Sequence, residues 1–521
     1  MSDKLPPLLV SLLRPEAFAH PVRDVTLVET HISWVILTGE FAYKIKRPVQ
    51  YAFVDLRDVE RRAYFCHEEI RLGRRFAPDL YLDVCDVTAQ GETARIGGEG
   101  TVVEHAVRMR QFARDDELDR LLLAGRIEPE ELGRFGRSLS RIHSRLPSPV
   151  DGQRLGRAEA AAQIMRANLA ECIDAAKPCG VGEELAALRE PLEERLALLE
   201  PLMARRFEQG RVRECHGDLH TGNVTRYSGK LVAFDSIEFE PAFRWIDVAD
   251  EVSFLLVDLR RMGKPEHGRA FVDGYLGESG DYQACRLLSL YEAHRGLVRA
   301  KIAALKAGAK DDELERRPHI AELRAFVGCA ENALASRRPR LVATTGLSGS
   351  GKTVLARRLA AALGAVHVRS DVERKRLAGL AELEASRSGL AEGVYGAEMT
   401  ERVYERLMAC AHDALSGGWS VVVDGTFLQR ADRQKLAQLA ERHGIAAELV
   451  RCSAPRDVLL ERIARRAAEG GDASEADASV LGLQEARAES VTPDEGFRSL
   501  DVDTSNDAAL DRALSELERR P

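Results

Sequence analysis

Gly346-Leu347-Ser348-Gly349-Ser350-Gly351-Lys352-Thr353 comes after the apolar run Leu341-Val342-Ala343-Thr344-Thr345 and precedes a stretch with helical periodicity. Strand, G-x-x-x-x-G-K-[ST] loop and helix start, in that order, are the context that makes this spacing a phosphate-binding loop. Glycines let backbone N–H groups wrap an anion without side-chain clash. Gly346, Ser348, Gly349, Ser350 and Gly351 are therefore the expected cradle for the phosphates of ATP. Lys352 is expected at the β- and γ-phosphates, and the Thr353 hydroxyl on Mg²⁺.

Outward from this loop, strand-like runs alternate with helical ones. Val366-His367-Val368 with Arg369, Ser420 to Val423, Ala447 to Arg451 and Arg498 to Val502 predict a parallel α/β sheet. Asp371, in Ser370-Asp371-Val372-Glu373-Arg374-Lys375-Arg376, stands at a strand end and is a candidate base. Arg374 is a candidate for gripping an anionic acceptor, the alternative being an N-capping Asp followed by surface cations. Asp424, opening Asp424-Gly425-Thr426-Phe427 after an apolar strand, is expected to meet the metal, with Arg430 and Arg433 following. Arg462, Arg465 and Arg466 precede a small, acidic stretch from Ala467 to Ala478, expected to be mobile, and form either a lid over the transferring phosphate or a helical charge face. Arg462 and Arg466 are the candidates for nucleotide contact.

A second signature stands earlier, His216-Gly217-Asp218-Leu219-His220-Thr221-Gly222-Asn223, with the D-x-x-x-x-N spacing of a kinase catalytic loop. Phosphoryl transfer needs a base for the attacking hydroxyl, metal ligands and a cation on the nucleotide. Asp218, then Asn223 with Asp235 at the end of the next apolar strand, supply the first two. Lys44 on the third predicted strand (Phe41 to Lys46) supplies the cation, with Glu69 on the following helix as its ionic partner. Lys46 shares a strand face with Lys44, and Glu68 competes with Glu69. The turn Thr30-His31-Ile32-Ser33 lacks a G-x-G-x-x-G, so phosphate contacts there are expected from backbone and hydroxyl donors. Glu238 and Glu240 either tune the metal loop or are solvated or capping carboxylates. Arg295 and Arg299, one helical turn apart, face an anionic substrate or form structural ion pairs.

Residues from about 20 to 330 resemble the aminoglycoside phosphotransferase-like family, which shares the protein kinase fold, and the H-G-D-L-H-x-G-N-V string carries the resemblance. It implies an adenine-binding hinge at Glu104-His105-Ala106-Val107, hence Glu104 and Ala106 as cofactor-binding residues, and a small hydroxyl compound as acceptor. The C-terminal part resembles P-loop kinases related to gluconate kinase, zeta toxin and the kinase part of bacteriophage polynucleotide kinase, through S-D-x-x-R-K, V-V-x-D-x-T-F and the lid arginines. The whole chain, in this domain order, is similar to the bifunctional aminoglycoside phosphotransferase/ATP-binding family. The expected fold is thus an α+β kinase-like bilobal domain over 1–335 (N-lobe about 20–110, helical C-lobe about 111–335), a basic linker at 336–340, and an α/β P-loop domain over 341–521.

With 521 residues the chain exceeds one core, and its net charge of −8 argues against a protein whose main partner is a phosphate backbone, leaving nucleic acid as a narrower variant for the second half. The nine Cys stand singly, without zinc-ligand spacing, as in a reduced cytoplasmic protein. No apolar run approaches the roughly 20 residues of a spanning helix. Leu8-Leu9-Val10-Ser11-Leu12-Leu13, cut off by Arg14 and Pro15, is expected to be a packing helix turn rather than a cleavable signal, and no membrane partner is expected. The reading is a tandem Mg·ATP-dependent phosphotransferase acting on small hydroxyl acceptors. The alternative is a nucleotide-responsive regulatory protein in which one or both sites do not turn over.

Overall fold

A computed structural model describes residues 5–51, 54–91, 93–150, 152–381, 384, 396–469 and 477–520. Most of the acidic stretch between Ala467 and Ala478 lies outside the described residues. The chain divides into two compact units, one from residues 1–131, 142–170 and 196–258, the other from 132–141, 171–195 and 259–521.

In the first unit, β1 (Thr26–Glu29), β2 (Ser33–Leu37), β3 (Phe41–Lys46), β4 (Tyr81–Gln90), β5 (Thr93–Ile96) and β6 (Thr101–Arg110) form one antiparallel sheet in the order β1-β2-β3-β6-β4-β5. The two-residue period of β3 sorts its side chains between a hydrophobic face and a charged one. Tyr43 and Ile45 join Trp34, Ile36 and Ala106 in a core closed by Leu9 and Leu12 of the predicted N-terminal helix turn (Pro7–Leu12). Lys44 and Lys46 therefore point to the opposite face. There α1 (Val59–Phe76), N-capped by Asp58 accepting from the Glu60 N–H, packs Cys66 and Ile70 against Val107 and Met109 of β6. The short strand β5 was not legible in the sequence; Gly97 and Gly98, both at positive φ, interrupt the apolar pattern behind it.

Beyond the helices of residues 116–208, β7 (Val212–Glu214) precedes the signature at His216, and a hairpin forms from β8 (Val224–Tyr227) and β9 (Lys230–Ala233) around Ser228-Gly229, both at positive φ. The C-lobe, expected to be helical over about 111–335, is interrupted at Trp245. There β10 (Trp245–Asp247) pairs antiparallel with β7, and Asp247 accepts from the fully buried Arg206 at 2.7 and 2.8 Å before α2 (Val248–Arg261) begins.

The second unit carries α3 (Pro265–Ser279), α4 (Cys285–Gly308) and α5 (Glu313–Leu334), the last two packed along each other. Then come β11 (Leu341–Thr345), α6 (Lys352–Ala362), β12 (Val366–Arg369), α7 (Ser370–Leu377), α8 (Ala397–Ser416), β13 (Val421–Asp424), α9 (Arg430–Arg442), β14 (Ala447–Ser453), α10 (Arg456–Glu469), a helix over Ala478–Arg487, β15 (Arg498–Asp503) and α11 (Asp507–Arg519). The sheet is wholly parallel, β12-β13-β11-β14-β15. Every residue of β11 and β13 is buried, as central strands covered on both faces require, and this explains their apolar runs Leu341-Val342-Ala343 and Val421-Val422-Val423. Leu355, Leu359, Leu510 and Leu517 of α6 and α11 close one face over Val342, Val422 and Val450. The phosphate loop leaves the C-terminal end of the central strand, where open parallel sheets bind ligands.

Candidate active sites

In the first unit five charged side chains converge beneath the sheet. Lys44 Nζ donates to Glu69 Oε1 at 2.9 Å and to the Asp235 carboxylate, while Lys46 Nζ donates to Glu69 Oε2 at 2.5 Å and to Glu238. Glu69, 1% exposed, thus bridges both lysines, and the two diverge at their second partner. Only Lys44 reaches the candidate metal ligand. Glu68 faces elsewhere, onto Arg71 at 2.7 Å. Burial alone would favour neutral lysines, but for Lys44 the charges of Asp235, Glu69 and Glu238 outweigh it and raise the pKa well above its ordinary value. For Asp235 burial acts upward, yet the Lys44 ammonium beside it holds the carboxyl below its usual range. Asp235 also adopts φ 64°, a left-handed conformation that costs a non-glycine residue ~1–2 kcal/mol, fixed by its N–H donating to Tyr81 Oη at 2.8 Å.

The signature loop is held both by bonds within itself and by bonds from elements distant in sequence. Asn223 Nδ2 donates to the Asp218 carbonyl at 2.9 Å and to its carboxylate at 3.0 Å, which leaves the amide oxygen to face a cation. His216 Nε2 lies 2.8 Å from the Phe234 carbonyl, which can only accept, so that nitrogen carries the proton and Nδ1 receives the Asp218 N–H at 3.4 Å. Burial holds the His216 pKa below its ordinary value, consistent with this neutral tautomer. Two carboxylates that sequence reasoning missed anchor the loop from α2. Glu251, fully buried, accepts the N–H groups of His216 and Gly217 at 2.7 and 2.8 Å, and Asp258 accepts from the Thr221 N–H and hydroxyl at 3.1 and 2.7 Å. Asn223, Asp235 and Asp218 present hard oxygen donors of the kind Mg²⁺ takes.

The hinge expected at Glu104–Val107 is not one. These residues lie inside β6, whose Ala106 and Val107 pair with Ile45 and Lys44 on one side and Cys85 and Val84 on the other, so their backbone groups face neighbouring strands. The Glu104 carboxylate is buried against Arg62 at 2.6 Å and Ala106 is fully buried, so neither can read an adenine edge. The sheet is left only after Arg110. Likewise the Thr30 hydroxyl donates to the Ser33 carbonyl at 3.0 Å and receives the Ser33 N–H at 2.9 Å, closing its own turn instead of facing a phosphate. Glu240 caps a short helix through the Ala242 N–H, and Arg299 lies over the Phe326 ring at 5.3 Å.

In the second unit Gly346, Gly349 and Gly351 take φ of 142°, 80° and 76°. The loop winds so tightly that a Cβ on Gly346 would meet the Cys452 carbonyl oxygen at 2.3 Å and one on Gly349 the Leu459 carbonyl oxygen at 2.7 Å. Lys352 Nζ donates to the Leu347 carbonyl at 2.6 Å and lies 3.5 Å from Ser350 Oγ, inside its own cradle; burial lowers its pKa despite Asp424. The Ser348 N–H donates to Gln484 Oε1 at 2.8 Å, a contact that a phosphate would replace. Asp424 receives hydrogen bonds from Thr344, at 3.2 Å, and from Thr353, and lies 3.5 Å from His367 Nε2. Burial would raise its pKa, but His367, Arg369 and Thr353 together hold it at about 2. The candidate metal carboxylate is therefore ionised and joined to the loop hydroxyl.

Asp371 lies in the first turn of α7 and acts on Lys352 through its charge, and Arg374 reaches Thr400 Oγ1 at 3.3 Å. Other cations are committed to the fold. Arg462 donates to Thr504 Oγ1 at 2.9 Å, to the Thr504 carbonyl at 2.8 Å and to the Gly349 carbonyl at 3.4 Å, so it ties the phosphate loop to the end of β15 instead of swinging as a lid. Arg433, 1% exposed, pairs with Glu495 at 2.7 Å and holds the Phe427 and Leu428 carbonyls at 3.1 Å each, securing the turn after Asp424, where Phe427 adopts φ 41°. Arg430 pairs with Asp494. Arg465 and Arg466 lie on α10, the latter half-buried.

The sequence profile of a family described as an AAA domain matches residues 341–491. Two proteins described as uncharacterized, from Mycobacterium tuberculosis H37Rv and Mycobacterium bovis, are each 30% identical over 476 residues, covering 90% of this chain and 92% of theirs. Among solved structures, a choline/ethanolamine kinase family protein from Mesorhizobium loti covers 60% of this chain and 92% of its own at 12% identity and TM-score 0.36. A sugar kinase from Janibacter covers 35% and 97% at 22% identity and TM-score 0.28.

Proposed function

We propose, for a chain that belongs to the family joining an aminoglycoside phosphotransferase-like domain to a P-loop kinase-like domain, that both halves transfer the γ-phosphoryl group of ATP to hydroxyl acceptors of small molecules. The observation that carries this reading is the intact first site: Asp218 and Asn223 are locked together at 3.0 Å, and Asp235 is tied to Lys44. In that site Asp218 orients the acceptor hydroxyl and takes its proton as the oxygen bonds to the γ-phosphorus and the bond to the bridging oxygen of ADP breaks. Lys44, kept charged by Glu69, neutralises the α- and β-phosphates. Glu251 acts through the loop, as a positioning residue. In the second site the glycine loop and Lys352 hold the phosphates, Asp371 is the candidate base, and Arg374 grips an acceptor of negative charge. Mg²⁺ bound by Asn223 and Asp235, or by Thr353 and Asp424, would neutralise charge developing on the phosphoryl oxygens.

The test is transfer of labelled phosphate from ATP into a small-molecule extract of the host cell, read by mass spectrometry, for the wild type, Asp218→Ala and Lys352→Ala. A product missing from one variant alone identifies the acceptor and the half responsible. Nucleotide binding without any labelled product overturns the catalytic reading and leaves nucleotide sensing.

A further inference from the structure

The basic segment Ser336-Arg337-Arg338-Pro339-Arg340 has no part in either site. Within the second unit, Ser336 and Arg337 line a cavity of about 180 Å³ together with Arg195, Ser289, Ser416 and the turn Gly417-Gly418. Two guanidinium groups and three serines surround this space, and no carboxylate among the described residues does. Its wall of bare backbone is required by packing: a Cβ on Gly417 would meet the Cys285 carbonyl oxygen at 2.1 Å, and Gly418, at φ 77°, would place one 3.4 Å from Arg337 Cβ.

The charges around this space do not balance. Among the described residues Arg195 donates only to the Leu334 carbonyl, at 3.5 Å, and Arg337 only to the Asn332 carbonyl, at 3.3 Å. Neither has a carboxylate partner among the described residues. Glu292, the acid whose charge acts on Arg337, is already bound by Arg260 at 2.6 Å. Three guanidinium groups against one carboxylate leave a surplus of two positive charges. Burial, reinforced by Arg260 and Arg195, pushes the Arg337 pKa below its ordinary value in spite of Glu292. Capping of helix ends accounts for one backbone carbonyl per arginine. It does not use the remaining donors of two five-donor forks, nor the Ser289 hydroxyl beside them, while Ser416 Oγ lies 3.5 Å from His412 Nε2.

We propose that this cavity is an oxyanion site for a doubly charged tetrahedral group, inorganic phosphate or the terminal phosphate of a small metabolite, held by Arg195, Arg337 and the hydroxyls of Ser289 and Ser416. None of its residues belongs to either nucleotide site. Arginine forks match phosphate geometry, and a dianion cancels the surplus charge.

The test uses the full chain carrying Lys352→Ala, so that the phosphate loop is disabled, and measures inorganic phosphate binding by calorimetry with and without Arg337→Gln. The expected result is a phosphate affinity at least tenfold weaker with Arg337→Gln, with sulfate competing and chloride not. If Arg337→Gln does not fold, Ser289→Ala is expected to weaken phosphate several-fold while leaving the melting temperature in chloride unchanged. Tighter competition by a sugar phosphate than by phosphate itself would identify the metabolite as the source. Equal phosphate affinity with and without either substitution overturns the proposal. The readout is binding, so it stands apart from whether either half transfers phosphate.

Discussion

Replacing Glu251 by Gln tests whether α2 sets the geometry of the first catalytic loop. The carboxylate accepts two buried backbone N–H groups at 2.7 and 2.8 Å, and although burial raises its pKa, the His143 imidazole 3.8 Å away and the Gly217 N–H hold it below the ordinary range, so it is ionised. Each charge-assisted bond contributes ~1.5–3 kcal/mol. An amide has one acceptor oxygen, so one N–H meets an NH₂ and the other loses its charged partner; the cost to the first unit is about 2–4 kcal/mol. The same change releases His216 and Gly217, the two residues before Asp218. A displacement on the order of 1 Å at a reacting group lowers turnover about 100-fold. The assay is ADP release in a Lys352→Ala background, which isolates the first site, alongside urea unfolding followed through Trp34 and Trp245. Turnover should fall while the KM for ATP changes little, because Lys44 and Glu69 are untouched. Unchanged turnover and unchanged stability together would refute the positioning role.

In the second unit, Gly346→Ala should abolish nucleotide binding to the phosphate loop and lower stability by ~1–3 kcal/mol, since the added carbon meets the Cys452 carbonyl at 2.3 Å; retained binding in a nucleotide titration would count against the loop geometry. Arg433→Leu leaves Glu495 buried without its partner and should destabilise this unit by ~3–5 kcal/mol, read by chemical denaturation, whereas a surface role would cost under ~1 kcal/mol. Glu214 is subject to burial, which raises its pKa, but Arg71, Arg75 and Arg244 hold it at about 2 against an ordinary 4.5. Its contribution to the first unit is therefore complete above about pH 4.5 and is lost as pH falls toward 2. Glu214→Gln should flatten that dependence in acid unfolding followed by tryptophan fluorescence, and an unaltered profile would show that Glu214 carries none of it.

What the sequence disclosed and what it hid divide by distance along the chain. The phosphate loop was legible because its cradle is eight contiguous residues whose glycines have no other reason to cluster there. Asp218 and Asn223 were legible for the same reason, and the parallel sheet showed in short apolar runs such as Leu341-Val342-Ala343 and Val421-Val422-Val423 alternating with helical stretches. Glu251 and Asp258 were hidden because they lie on a helix whose acids look like surface charge until the chain brings them under residues 216–221. Arg433 reads as an exposed cation until Glu495 arrives from 62 positions later. The hinge, implied by the family resemblance, fell inside a strand because a resemblance carries no register: pairing of β6 with β3 continues to Arg110 opposite Phe41. Lys44 and Lys46 could not be separated by period because both do reach Glu69; only Asp235 and Glu238, nearly two hundred residues away, tell them apart.

Whether one chain carries two separately built nucleotide sites is decided by the stoichiometry of a non-hydrolysable Mg·ATP analogue, measured by calorimetry on the wild type, Lys44→Ala, Lys352→Ala and the double variant. Two sites per chain are expected in the wild type, one in each single variant and none in the double. A wild type that binds one equivalent, or a double variant that still binds, would contradict the two-site reading.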